Sequence, residues 1–401
     1  MDDVRKRLSP ALFAAGRSLN SFFAKPQPLP MAPISINLDL TVACNYRCPH
    51  CIDSEIINTK AMFSLDEVTD TLINLRICGL RSVILIGGGE PTAHPKFETI
   101  VRLIKALGLQ CAIVSNGSRT DRIARVAGHM TQGDWVRLSL DAGSDEVFQH
   151  LHKPAKKITL TDICRGAVKI KKANSKLQLG YSFIVITPEA LGYNSNLTPN
   201  IHEIALAAAL AKEHGFDYLS LKQYLARDAD GKEVIPFSKD CEPGKGETLR
   251  LLQKEVARAR KHVCDGFKII ESINLIALLT GATQKQTSQP RRCHMQRFRQ
   301  VVTPRGIYAC PAYRGDKRSL VAGKMGYTKS ANCRKTLWRT NEQVSRFDAS
   351  YECRNITCIY NSTNWWLDAL ASAPETSQDW LPALDGLTKQ KGNTWPASAT
   401  F

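Results

Sequence analysis

The sequence contains no apolar run close to the roughly 18 residues that a membrane-spanning helix needs, so it does not encode an integral membrane protein. It shows no secretion signal, and acidic residues are scarce beside basic ones, 37 against 54, which gives a formal net charge of +17. With 401 residues, 43% of them hydrophobic, the chain can bury a full core. We expect a protein of the cytoplasm, or of the host cytoplasm if the source is viral, with one large domain and a smaller one.

The first 30 residues combine basic and apolar side chains, a mixture that transit peptides share. Asp2 and Asp3 argue against a transit peptide. We therefore expect a surface helix that leads into the first domain.

From Ile34 to Lys222, strand-like apolar runs alternate with segments of helical periodicity, which is the pattern of repeated βα units. Six such units predict an α/β fold, a partial (βα)6 barrel that is open on one side. After Gln223 the alternation gives way to a loop rich in charge, Gly and Pro, and then to further helices. We predict five parts: an N-terminal extension (1–33), the partial barrel (34–225), connecting helices and a linker (226–290), a small C-terminal domain (291–370) and a tail (371–401).

Thirteen cysteines are many for a protein of a reducing compartment. Cys44, Cys48 and Cys51 follow the first predicted strand with the spacing C-x3-C-x2-C. Three thiolates so close together are more typical of a metal cluster than of disulfides, and three ligands leave the fourth iron of a [4Fe–4S] cluster open. A zinc knuckle or a group of buried thiols is the alternative. We expect five other cysteines to be small residues that are buried or inert: Cys78, Cys111, Cys164, Cys241 and Cys264.

At the early cysteines the chain resembles the radical S-adenosylmethionine (SAM) superfamily, whose signature is this spacing with an aromatic-type residue before the third cysteine, here His50. The resemblance implies that the open iron binds SAM, and that an electron from a reductant such as flavodoxin or ferredoxin cleaves SAM to methionine and a 5′-deoxyadenosyl radical. Gly88, Gly89 and Glu90 match the family element that receives the amino group of SAM. Glycines let a backbone approach a ligand closely, and a carboxylate can pair with an ammonium group.

The reactive groups of a parallel βα barrel gather at the carboxyl ends of its strands. The family resemblance implies that polar residues at these ends line the SAM pocket: Ser115, Asn116, Ser139, Asp141 and Gln223. For the first four, an ordinary turn residue is the alternative.

Two histidine-containing stretches are predicted to lie in solvent. His150 and His152 stand two residues apart in a segment that we interpret as a loop, and such a pair is more typical of a solvated surface than of a metal site. His202 and Glu203 open a predicted helix, and we expect both on the surface.

The late cysteines resemble the auxiliary-cluster domains of many radical SAM enzymes, of the SPASM or shorter twitch type. The resemblance implies a second [4Fe–4S] cluster held by Cys293, Cys310, Cys353 and Cys358. The last pair is spaced C-x4-C where C-x2-C is common, so Cys333 is a candidate substitute ligand. The alternative is a cysteine-rich subdomain without a metal.

Basic residues are concentrated in the same region. Residues 291–358 contain 15 lysines and arginines but 4 aspartates and glutamates, which places +11 of the net charge there. Phosphate contacts favour such a surface, and Trp338, Tyr308 and Tyr313 are interleaved with the cations as base stacking would require. A solvated face that aids solubility is the alternative.

We therefore expect a substrate that is DNA, RNA or a nucleotide, and we expect its base to be modified. Isomerisation of a hypermodified thymidine in phage DNA is one example known in the superfamily. Two other enzyme classes stay open: a maturase of ribosomally made peptides, and a sugar or aminocyclitol dehydrogenase whose auxiliary cluster accepts an electron. An iron–sulfur protein that binds nucleic acid without turnover is the alternative that is not an enzyme.

Overall fold

The computed structural model describes residues 32–227, 233–236, 246–280, 288–353 and 358–372. The expected N-terminal surface helix, Cys241 and the tail beyond Ser372 lie outside these ranges. None of the helices in the described part of the chain is both long and apolar enough to cross a membrane.

One sheet of ten strands organises the molecule. Its order is β12-β11-β10-β1-β2-β3-β4-β5-β6-β9, and the eight strands from β10 to β9 are parallel, while β11 and β12 are antiparallel additions at one edge. A separate hairpin joins β7 to β8. The strands are β1 Ser35–Leu38, β2 Ser82–Leu85, β3 Gln110–Ser115, β4 Trp135–Ser139, β5 Gln178–Val185, β6 Tyr218–Gln223, β7 Ala226–Arg227, β8 Glu233–Val234, β9 Lys268–Glu271, β10 Arg299–Thr303, β11 Gly306–Tyr308 and β12 Leu320–Ala322.

Helices follow most of the parallel strands, as the βα pattern predicts. They are α1 Leu65–Ile77, α2 Phe97–Ala106, α3 Thr120–Ala127, α4 Asp145–His152, α5 Leu160–Ala173, α6 Ile204–Glu213, α7 Glu247–Arg260, α8 Ile273–Thr280, α9 Met295–Phe298, α10 Ser330–Arg346, α11 Ala349–Glu352 and α12 Asn361–Ser372. Ser64 caps α1 in a capping box with Glu67, as its place before the apolar run predicts.

The α/β class and the six strands β1 to β6 are confirmed, but the sheet is larger than the sequence pattern indicates. β9 extends it beyond β6, and β10 extends it beyond β1 with Ser35 opposite Arg299. Both strands are short and far along the chain from their partners, so the local βα alternation does not reveal the pairing. The region of the late cysteines is therefore joined to the barrel through continuous backbone hydrogen bonds.

The predicted loop around His150 is also different in the structure. Residues 145–152 form α4, whose N-cap Ser144 accepts a hydrogen bond from the Val147 amide. Val147, Phe148 and Leu151 bury the apolar side of the helix in the main core. Two turns are too short for a clear apolar period, which explains why the sequence pattern missed the helix.

Candidate cofactor site

The early cysteines lie in the loop that follows β1, at the carboxyl ends of the parallel strands. Cys44, Cys48 and Cys51 are each half-buried. Burial, and then the neighbouring thiols Cys51 and Cys44, raise the pKa of Cys48 well above its ordinary value. Burial also raises the pKa of Cys51 to about 11. Three converging thiols that resist ionisation without a cation are a donor set that fits an iron cluster with three protein ligands.

A buried polar group surrounds the middle of this loop. The side chain of His50 lies 3.1 Å from Asp141, measured from Nε2 to Oδ2, and His152 Nδ1 lies 3.2 Å from the sulfur of Cys48. His152 Nε2 is 2.9 Å from the carbonyl oxygen of Leu140. One ligand atom each of Cys48, His50 and His152 could meet at a single point, because these atoms lie within 4.8 Å of one another. The prediction that His152 is exposed to solvent is therefore wrong. His152 is buried, because α4 orients its ring toward the cysteine loop.

Asp141 holds this group together from the end of β4. Its φ of 53° is in the left-handed region, and its Oδ1 accepts a hydrogen bond of 2.7 Å from the Ile184 amide. Burial alone would raise the pKa of Asp141, but the His50 hydrogen bond and the nearby His152 lower it below its ordinary value. Among the described contacts, Asp141 orients His50; it stays a prediction that Asp141 itself meets SAM.

Glu90, after β2, is buried and has a prepared set of hydrogen-bond donors. Its Oε1 accepts from the hydroxyl of Ser115 at 2.8 Å and from the amide of Thr92 at 3.0 Å. Its Oε2 accepts from the Asn116 amide at 2.7 Å, and the Asn116 side-chain amide reaches the sulfur of Cys44 at 3.9 Å. Ser115 and Asn116 therefore lie beside Glu90 and the cysteine loop, as their strand-end position predicts. A carboxylate fixed in this way can accept the ammonium group of a ligand.

Close packing against the backbone before Cys44 requires glycine at positions 88 and 89, a role that the motif does not indicate. Gly89 donates a hydrogen bond of 2.8 Å to the Thr41 carbonyl, and a Cβ at Gly89 would lie 2.1 Å from the carbonyl oxygen of Ala43. Gly88 has φ 66°, and its amide donates to Asp53 Oδ2 at 3.1 Å. Both glycines let the end of β2 contact the backbone that leads into Cys44.

The structure adds an ion-paired group that the sequence reasoning missed. Arg314 donates to Asp53 Oδ2 at 2.9 Å and also contacts Asp39, while its guanidinium lies where a Cβ on Gly87 would be. Asp53 stands two residues after Cys51, and Arg314 stands four residues after Cys310. The group therefore connects the early cysteine loop with the region of the late cysteines. A charge excess alone does not reveal such a pairing across more than 250 residues.

Two other predicted residues, Gln223 and Ser139, also lie at the carboxyl ends of strands. Gln223 is buried at the end of β6, and neither atom of its amide has a partner in the described structure. An unsatisfied buried amide is suited to a ligand or a water molecule. Ser139 is half-buried at the end of β4, opposite Ser182.

The four predicted auxiliary ligands come together. Cys293, Cys310, Cys353 and Cys358 all pack against the apolar group of Tyr313, Phe347 and Ala349. Burial, and then the thiols of Cys310, Cys293 and Cys358, raise the pKa of Cys353 far above its ordinary value. Four converging thiols fit the donor set of a [4Fe–4S] cluster.

The structure contradicts the expectations for Tyr308 and Tyr313 and for Glu203, and it places Cys333 apart from the other late cysteines. Cys333 lies on α10 in the main core, apart from the four late cysteines, and burial and then the thiol of Cys78 raise its pKa to about 12. Its role as a substitute ligand stays a prediction that no described contact supports. Tyr308 and Tyr313 are buried and cannot stack on a base, whereas Trp338 is 46% exposed. Outside this region, Glu203 is buried instead of exposed, because it accepts hydrogen bonds from the amide of Gly143 at 2.7 Å and from the Ser144 hydroxyl at 2.8 Å.

Comparison with known proteins agrees with this geometry. Residues 38–190 match the family model of the radical SAM superfamily. The chain is 38% identical over 110 residues to an S-adenosylmethionine-dependent nucleotide dehydratase of Thermoplasmatales archaeon (strain ISO4-H5), an alignment that covers 27% of this chain and 38% of that protein. It is 32% identical over 118 residues to mycofactocin maturase MftC of Mycobacterium ulcerans, which covers 29% of this chain and 31% of that one. These alignments span about a third of each relative.

Two solved structures share the fold. Streptococcus suis SuiB bound to the precursor peptide SuiA has a TM-score of 0.54 at 13% identity, covering 76% of this chain and 65% of that one. Native anSMEcpe with bound AdoMet and Cp18Cys peptide has a TM-score of 0.51 at 15% identity, covering 89% of this chain and 99% of that one. Residues 38–190 therefore carry a radical SAM domain, and that superfamily uses a [4Fe–4S] cluster with SAM.

Proposed function

We propose that this enzyme abstracts hydrogen from a nucleotide, either free or within a nucleic acid, and thereby modifies it. When bound, the [4Fe–4S] cluster and SAM supply a 5′-deoxyadenosyl radical for that step. The protein's part is to hold the cluster with Cys44, Cys48 and Cys51, to accept the ammonium group of SAM with Glu90, and to keep the site closed to water.

The observation that carries the proposal is the exposed face of α10. Arg334, Lys335 and Arg339 are exposed there, together with Trp338. The positions 334 and 338, and likewise 335 and 339, are one helical turn apart and therefore adjacent on the surface. None of the three cations has an acidic partner in the described part of the chain. Free cations beside an exposed indole suit a phosphate backbone with unstacked bases.

The names of relatives support a nucleotide over other substrates. Three similar curated proteins are named S-adenosylmethionine-dependent nucleotide dehydratase, and another is named GTP 3′,8-cyclase. The mycofactocin maturases are the reason to keep a peptide as the second candidate. A sugar substrate has less support, because it does not account for the exposed cations.

The test is a SAM-cleavage assay with the reconstituted enzyme under anaerobic conditions. Nucleotides, single-stranded DNA, duplex DNA, RNA and peptides are added in turn, and 5′-deoxyadenosine is measured. We expect a nucleotide or nucleic acid to stimulate its formation and to acquire a modification that mass spectrometry detects. Stimulation by peptides, with none by any nucleotide or nucleic acid at low ionic strength, would contradict the proposal.

Two matched charge variants test the role of α10. Changing Arg334, Lys335 and Arg339 together to Gln should weaken nucleic-acid binding by about tenfold or more. The slope of the logarithm of the binding constant against the logarithm of the salt concentration should become shallower, by the equivalent of up to about three phosphate contacts. Changing Arg250, Lys254 and Lys261 together to Gln removes the same charge from the exposed side of α7 and its end. This control should keep the wild-type salt dependence. Equal losses in both variants would indicate that only the net charge matters.

A further inference from the structure

The inner face of the barrel carries two cations, Arg137 on β4 and Lys222 on β6. Along β4, Val136 and Leu138 are fully buried in the main core, while Arg137 between them is partly accessible. The same alternation holds on β6, where Leu219 and Leu221 are fully buried and Lys222 is partly accessible. Because side chains alternate across a strand, Arg137 and Lys222 face away from the core packed by the helices, into the barrel.

Among the residues that the structure describes, neither cation has an acidic partner. No carboxylate lies within ion-pair distance of Arg137 or Lys222 in the ranges that the structure describes, and the Nε of Arg137 is buried without an acceptor. The guanidinium lies over the ring of Trp135, with 5.3 Å from Cζ to the ring centre. The carboxylate of Asp141 is close enough to act on both cations electrostatically, but His50 and the Ile184 amide occupy its oxygens.

The surroundings make an unpaired cation unfavourable at both positions. Burial, and then the charge of Arg137, lower the pKa of Lys222 well below its ordinary value. Burial also lowers the pKa of Arg137; Tyr218 on β6 opposes this shift, and Arg299 on β10 adds to it. Arg299 donates to Asn37 at 3.0 Å and lies over the ring of Tyr360. Like charges kept together inside a protein destabilise the fold unless an anion joins them.

The two cations also have a defined relation to the cofactor site. Lys222 pairs in register with Ile184, whose amide binds Asp141, and Asp141 binds His50 of the cysteine loop. Arg137 pairs in register with Gly180, which precedes Ile184 on β5 by four residues. The backbone of Arg137 therefore lies about 13 Å further from the carboxyl end of the sheet than the backbone of Lys222. An anionic group between them would therefore lie inside the barrel, below the cysteine loop.

We propose that Arg137 and Lys222 form a phosphate-binding site that fixes the substrate inside the barrel. This inference rests on the proposed function for the source of the phosphate, a nucleotide. The site determines which substrates are held near the radical, and it does so at a cost to the stability of the unliganded protein.

The test uses the reconstituted holoenzyme, inorganic pyrophosphate as the probe, and the variants Arg137→Met and Lys222→Met. Methionine keeps much of the side-chain volume and removes the charge. We expect pyrophosphate to raise the melting temperature of the wild type, and each variant to bind it at least tenfold more weakly by calorimetry. Without pyrophosphate, both variants should melt higher than the wild type, because they lose an unpaired charge that the protein largely encloses. Lys169→Met, on the exposed side of α5, should match the wild type in all measurements.

Two outcomes would overturn the site: unchanged pyrophosphate affinity in both variants, or lower melting temperatures without pyrophosphate, which would indicate structural cations. The kinetic arm separates the site from the proposed function. If pyrophosphate binding depends on Arg137 and Lys222 but no nucleotide stimulates SAM cleavage, the phosphate site stands and the nucleotide proposal fails. If a nucleotide stimulates cleavage with the same apparent KM in the wild type and Lys222→Met, the nucleotide proposal stands and the phosphate site fails.

Discussion

At the scale of single residues, the ion-paired group of Asp39, Asp53 and Arg314 connects the two cysteine-rich regions. Asp39 is fully buried, and one of its carboxylate oxygens has no partner among the described residues. Burial raises the pKa of Asp39 to about 7, with a smaller contribution from the charge of Asp53, although Arg314 opposes the shift. The group therefore holds the cysteine loop in place while one of its carboxylates is close to taking up a proton.

This raised pKa predicts a pH dependence of stability. Between the ordinary aspartate pKa near 4 and the folded value of about 7, the folded protein binds more protons at Asp39 than the unfolded chain does. The contribution of Asp39 to stability is therefore lost as the pH rises through this window, by up to about 1.4 kcal/mol per pH unit. Asp39→Asn keeps a partner for Arg314 but does not titrate.

The measurement is the melting temperature of the wild type and of Asp39→Asn between pH 5 and pH 8. We expect the melting temperature of the variant to rise relative to that of the wild type as the pH rises, because titrating groups far from Asp39 are shared and cancel in the difference. A difference that does not change with pH would show that Asp39 is ionised throughout.

The sequence predicts motifs of neighbouring residues, but it does not predict contacts between residues that lie far apart along the chain. The spacing of Cys44, Cys48 and Cys51, with Glu90 after the next strand, is a short-range pattern that the structure places in one site. The contact of Arg314 with Asp39 joins residues 275 positions apart, and nothing local in either segment specifies it. His152 was missed for a related reason, because its role depends on the orientation of α4.

At the scale of elements, the end of β2 and the cysteine loop are fitted to each other at Gly89. Its amide binds the Thr41 carbonyl, and the Glu90 amide binds the Ala43 carbonyl at 2.9 Å. These bonds place the backbone before Cys44 directly against β2. The loop therefore depends on a residue without a side chain at position 89.

Gly89→Ala should displace the cysteine loop. The added Cβ would lie 2.1 Å from a backbone oxygen, which cannot move without the loop, so we expect a destabilisation of about 1–3 kcal/mol. Iron content and the electron paramagnetic resonance signal should show loss of the cluster at the early cysteines, with the late-cysteine cluster retained. Gly128→Ala is the matched control, because a Cβ there meets nothing within 4 Å and its φ is −63°. Full iron content in Gly89→Ala would contradict this account.

Elements whose apolar pattern repeats over many residues follow from the sequence, whereas short elements do not. The strands β1 to β6 and the helix α1 follow from apolar periodicity and an N-cap. The places of β9 and β10 in the sheet depend on long-range pairing that periodicity does not encode. The helix α4 was missed because two turns give too few residues for the pattern.

At the scale of the whole molecule, the barrel and the late-cysteine region form one sheet. β1 pairs with β2 on one side and with β10 on the other, so the strand before the cysteine loop lies between the two regions. Gln300 of β10 donates a hydrogen bond of 2.8 Å to Thr340 on α10. This bond links the sheet to the basic helix. The charge excess and the cysteine spacing indicated a separate small domain, but they contain no information about this shared sheet.

The shared sheet predicts that the described regions unfold together. Under anaerobic conditions, the loss of far-ultraviolet circular dichroism and the loss of cluster absorbance should give a single transition with one midpoint. Cys353→Ser should remove the late cluster, reduce the iron from about eight to about four atoms per chain, and lower the midpoint of the entire transition. Cys333→Ser is the matched control, since Cys333 lies apart from the late cysteines, and it should keep all the iron. Two separate transitions in the wild type, or an unchanged barrel midpoint in Cys353→Ser, would show instead that the two regions are stable independently of each other.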